Sequence, residues 1–142
     1  MTCFFIKPLT LRPDFRLVIT FLWSDLHNVD TEGNSSNPAS QEWTELYVMN
    51  RENEHEVFNV DPVAEQPLTL RICSDLHELA ARVAYFLATE TQSQVAVSEA
   101  GPWHDPEWLN DQVGDFDLAE ATRRADRSRW RRATIENPYP ES

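Results

Sequence analysis

The sequence predicts an α+β fold in one domain: a largely antiparallel sheet of about five strands, an amphipathic helix at 75–90 packed on it, and a C-terminal helix. Three observations carry this. The chain has 142 residues, 41% of them hydrophobic, which is a single-domain length with enough apolar surface for a core. Short runs with apolar residues at alternate positions recur through its first half. Between Leu76 and Leu87 the apolar spacing changes to three and four residues, the stripe of a helix lying on a sheet. The domain is expected to span 1–136, with a flexible tail at 137–142.

The first strand is expected at 15–23, where Phe15, Leu17, Ile19, Phe21 and Trp23 alternate with a mixed face of Arg16, Val18, Thr20 and Leu22. Leu9–Leu11 would pair with it across a turn at Arg12-Pro13-Asp14. Residues 28–42 have hardly an apolar side chain and read as a loop. Trp43–Asn50 and Glu56–Val60 follow as strands, joined by the polar hairpin loop 51–55, and Asp61-Pro62 is expected to end the second. Pro67 opens another strand over 68–73, apolar at even positions. Ser74 or Asp75 can cap the 75–90 helix, with Asp75 and Glu78 at capping-box spacing. Val95-Ala96-Val97 reads as a strand returning to the same sheet by a right-handed crossover. Beyond Gly101-Pro102, residues 103–109 suggest a short helix or structured loop, and 116–134 is helix-like by propensity.

Composition excludes several functions. Twenty-four acids against twelve bases give a net charge of -12, which argues against a general phosphate-held nucleic-acid binder. The longest apolar run, Leu17 to Trp23, is far too short to span a bilayer, and Met1–Pro8 does not resemble a signal peptide. Cys3 and Cys73 form neither a metal-binding spacing nor a disulfide framework, so each reads as a packed thiol in a reducing, cytoplasmic compartment. The three glycines are isolated, so a P-loop or dinucleotide fingerprint is absent.

Catalytic and metal chemistry find no assembled parts in the sequence. His27, His55, His77 and His104 fall in different elements, with no HExxH and no paired cysteines, so no metal or other cofactor is expected. No GxSxG elbow is present, and neither cysteine has a neighbouring base. The expectation is a non-enzyme. The enzyme alternative requires at least two of Asp25, His27, His77 and Cys73 to converge in one pocket, brought together only by folding.

The charge map is more informative. From Asp105 to Glu120 there are six acids and no base: Asp105, Glu107, Asp111, Asp115, Asp117 and Glu120. Trp103, Trp108 and Phe116 are interleaved with them, which suits anchors surrounded by steering charge. Six arginines follow, from Arg123 to Arg132. One reading makes them a nucleic-acid patch with Trp130 for stacking. The favoured reading is a helix with acids in its first turn and arginines near its end.

A small acidic α+β domain with these segments, Trp43–Val60, Leu68–Leu87 and Trp103–Glu120, resembles in overall format the immunity proteins of bacterial toxin–immunity pairs. The resemblance implies a cytosolic inhibitor that neutralises a basic toxin domain, such as a nuclease, by binding it. It places Asp105, Glu107, Trp108, Asp111, Asp115, Asp117 and Glu120, with the acids of the 25–45 loop, against a basic cleft.

Overall fold

The computed structural model describes residues 1–141 as an α+β domain built on one antiparallel sheet. Its strands are β1 (Thr2–Ile6), β2 (Val29–Gly33), β3 (Leu46–Asn50), β4 (Val57–Glu65), β5 (Leu68–Ser74) and β6 (Val95–Ala96). They are ordered β2-β3-β4-β5-β1-β6, one strand more than the sequence suggests. The helices are α1 (Arg16–Leu22), α2 (His77–Glu90) and α3 (Leu118–Asp126), with 3-10 helices at Pro106–Gln112 and Arg129–Arg132. Ser142, the last residue of the expected tail, lies outside the described residues.

Alternation along the strands sends Phe4, Ile6, Leu46, Val48, Phe58, Val60, Leu70 and Ile72 to one face, where they are buried. Leu79, Val83, Phe86 and Leu87 of α2 close that core, as the helical spacing predicts. Phe5, Tyr47, Met49, Val57, Asn59 and Arg71 emerge on the other face and stay partly exposed. β5 and β6 both run antiparallel to β1, so α2 carries the chain across β1 before it returns.

Several expectations are corrected. Residues 15–23 form helix α1 rather than a strand, and Leu9–Leu11 make no hairpin with it. Arg16 to Leu22 are all buried, so an apolar run without a wet face carries no period to separate strand from helix. Asp14 starts the helix: its Oδ1 accepts from the Arg16 N–H at 2.9 Å. The loop at 28–42 contains β2, an edge strand whose side chains stay wet because its backbone alone makes the pairing. Asp61-Pro62 does not end β4. The strand runs to Glu65 with an irregularity between Pro62 and Ala64. β3 stops pairing at Val60, so Pro62 lies beside β5 alone and needs no second partner.

Helix α2 begins at His77, and the expected capping box does not form. Instead the Ser74 hydroxyl accepts from the Leu76 N–H at 3.1 Å. The helix expected over 116–134 breaks at Arg127-Ser128, where Ser128 caps a separate 3-10 turn through the Trp130 N–H. β1 is the strand that sequence reading leaves unassigned. It carries the largest correction: Cys3 and Cys73 face each other across β1 and β5 and are joined by a disulfide. The 137–141 segment returns to the body, with Tyr139 edge-on to Trp130 at 6.3 Å and Pro140 buried.

Candidate functional site

The acidic segment is fixed to the domain before it offers anything to solvent. Gly101 takes a left-handed φ of 84°, and a Cβ there would meet the Trp103 ring. His104 then exchanges two backbone hydrogen bonds with Val95, both 2.8 Å, which attaches the segment to β6. Asp105 and Pro106 open the 3-10 helix in their usual order, and Asp105 Oδ1 accepts from the Gln94 amide at 3.2 Å. Leu109 and Val113 are buried, and Arg82 Nε donates to the Val113 carbonyl at 2.9 Å. These anchors turn Glu107, Trp108, Asp111 and Asp115 outward. Trp108 is 39% exposed and stacks on His104 at 4.2 Å between ring centres, so it is held rigid while half uncovered.

The seven residues singled out by sequence do not share one role. Asp117 is the N-cap of α3 and accepts from the Glu120 N–H at 3.0 Å. Glu120 pairs with Arg123 at 2.9 Å and with Arg127 at 3.4 Å. Both therefore serve their own helix. Glu107, Asp111 and Asp115 are exposed and make no ion pair or side-chain hydrogen bond among the described residues, so the segment that carries Trp108 keeps uncompensated negative charge.

The arginine cluster is largely occupied. Arg124 donates to the Thr20 and Phe21 carbonyls at the C-terminal end of α1. Arg131 pairs with Glu90 and Asp126, and Arg132 donates to the Glu141 carbonyl. Arg129 lies over the Trp130 ring at 4.3 Å. Trp130 itself is buried and cannot stack a base.

The four residues of the enzyme alternative are held by different partners. Asp25 Oδ1 accepts from the Thr20 and Ser128 hydroxyls. His27 bonds Asn50 and lies 3.3 Å from Glu52, and His77 bonds Thr2 and Gln112. Cys73 is in the disulfide. Among the described residues no group of three His, Cys, Asp or Glu side chains is placed to hold a metal ion.

A second acidic surface gathers two acids of the 25–45 segment, Glu32 and Glu45, with residues that the sequence reading did not single out. On the open face of the sheet a groove of about 520 Å³ is lined by Glu32, Glu45, Tyr47, Asn59 and Asp61. Glu45 immediately precedes β3 and the others come from β2, β3 and β4, where register alone brings Glu32, Tyr47 and Asn59 side by side. The sequence signals for it are the acids of the 25–45 segment and the alternation of Asp30, Glu32 and Glu45, Tyr47 with residues of opposite facing.

No protein-family model, no curated protein and no solved structure matches this chain. No helix among the described residues is long and apolar enough to cross a membrane.

Proposed function

We propose that this chain is a protein-binding protein that takes a basic partner, and that it acts as an immunity protein neutralising a toxin domain such as a nuclease. One observation carries the reading: Glu107, Asp111 and Asp115 stand exposed and unpaired in the segment whose Trp108 is stacked on His104 and only partly covered. An immobile aromatic costs little ordering entropy on docking, and free carboxylates around it steer a cationic surface toward it. The binding set narrows to Asp105, Glu107, Trp108, Asp111 and Asp115, since Asp117 and Glu120 are used within α3. Occupation of the arginines by carboxylates and carbonyls speaks against a phosphate-binding role for Arg123–Arg132.

A cytoplasmic setting belongs to the same proposal, but the Cys3–Cys73 bond removes the cysteine argument for it, since such bonds persist mainly in oxidising compartments. Alkylation of the protein as drawn from its own cells, before and after reduction, reads which state it keeps there.

The partner reading is tested by the triple variant Glu107→Lys, Asp111→Lys, Asp115→Lys. The wild-type chain should retain a basic protein from its native lysate at low salt. The variant should fold with an unchanged circular dichroism spectrum and lose that protein. Equal retention by both would remove the 105–115 surface from the interface.

A further inference from the structure

β2 is the free edge of the sheet at the end away from β6. At the two ends of its ladder with β3, the Arg51 N–H donates to the Asn28 carbonyl and the Asn34 N–H to the Glu45 carbonyl. Hydrogen-bonded and non-bonded pairs alternate in an antiparallel ladder, so Asp30 and Glu32 direct their backbone groups to β3. The N–H and C=O groups of Val29, Thr31 and Gly33 therefore point away from the sheet. They have no other backbone partner among the described residues, and Asp30 to Gly33 are exposed.

A groove borders this edge on each face. On the open face lies the groove of about 520 Å³ with Glu32, Glu45, Tyr47 and Asp61. On the helix side lies a smaller one of about 150 Å³, lined by Phe15, Thr31, Ser35 and Leu46. Unpaired main-chain groups between two grooves are what strand addition requires, because alternate side chains of an added strand fall on opposite faces. Charge selects the occupant. Asp30 is neutralised by Arg51 and Asp61 by Arg71, each at 2.8 Å, whereas Glu32 and Glu45 have no cationic partner among the described residues. A second copy of this chain would set these carboxylates against their own equivalents, so like charge opposes self-pairing.

We propose that the β2 edge receives an extended, basic segment of another protein as an additional strand. Its Lys or Arg side chains lie over Tyr47 between Glu32 and Glu45, and its intervening small or apolar side chains enter the Phe15–Leu46 side. This goes beyond the surface at 105–115, which adjoins β6 at the opposite end of the sheet.

The probe is a short capped peptide alternating Lys with Thr and Val, compared with a Glu-for-Lys counterpart, added to the full chain. Amide exchange of Val29, Thr31 and Gly33 should slow about tenfold with the basic peptide, while Asp30 and Glu32, already bonded to β3, should change little. Thr31→Pro removes one outward N–H without touching the β2–β3 ladder and should abolish that protection. Glu32→Lys with Glu45→Lys, a change confined to side chains, should reverse the preference toward the Glu peptide. Unaltered exchange at the outward amides with peptide at about 1 mM, or protection that survives both variants, would overturn the assignment. Peptide binding lost only in the Glu107, Asp111, Asp115 variant would overturn it too, while leaving the partner reading of that other surface standing.

Discussion

Asp25 shows how far a residue's use can lie from its sequence context. Its Oδ1 accepts the Thr20 hydroxyl at 2.7 Å and the Ser128 hydroxyl at 2.6 Å, and both donors are buried. The carboxylate thus joins α1 to the turn after α3. Asp25→Ala should cost about 1–3 kcal/mol, because the buried Ser128 hydroxyl loses its acceptor and Thr20 keeps only the Arg16 carbonyl at 3.1 Å. Urea denaturation checks this, and a midpoint equal to wild type would mean that water replaces the carboxylate. Asp14 is a second case. It pairs with Arg16 at 2.7 Å in a largely buried site, and that guanidinium lies over the Trp130 ring at 3.9 Å. Burial also lowers the pKa of Arg12, against the opposing field of Glu42, and its Nε donates to the Trp43 carbonyl at 2.7 Å. None of these roles was legible in the sequence, since each depends on a distant segment: Ser128 for Asp25, Trp130 for Arg16 and Trp43 for Arg12.

At the scale of elements, the disulfide ties β1, which the sequence reading left unassigned, to β5. The two cysteines are 70 residues apart, so the bond closes a long loop in the unfolded chain. By the chain-entropy account, Cys3→Ser with Cys73→Ser should lower stability by about 4 kcal/mol. The same loss should appear when the wild-type protein is unfolded with a reductant present. Denaturation midpoints unaffected by reductant would show that the bond does not form in solution. Elements with a wet face were legible: α2 from its apolar stripe, and β3, β4 and β5 from alternation. Those without such contrast were not. α1 is buried on every side, and β2 has Val29 as its only apolar residue of any size.

Over the whole molecule, the net charge of -12 sets both a cost and a use. Like charges raise the energy of the compact state and speed encounter with a cation. The melting temperature should therefore rise between roughly 0.01 and 0.2 M NaCl, as screening shortens the reach of that repulsion. A fall with salt would show that pairs such as Arg131 with Glu90 and Arg71 with Asp61 outweigh it. The candidate surface was legible in part. The run of acids and aromatics from 105 to 120 is visible in sequence, but its division into free carboxylates and α3's own cap and ion pairs is not.

The α+β class, the single core, the position of α2, the hairpin of β3 and β4, and the acidic balance could be read directly from the order of residues. These follow from local periodicity and from composition, which act over a few residues or over the whole chain. The tertiary structure alone decided that 16–22 is a helix, that 29–33 pairs as an edge strand and that Cys3 meets Cys73. It also decided which acids remain free. Each of these depends on a partner far along the chain, and a contact of that kind leaves no periodic trace in either of the segments that make it.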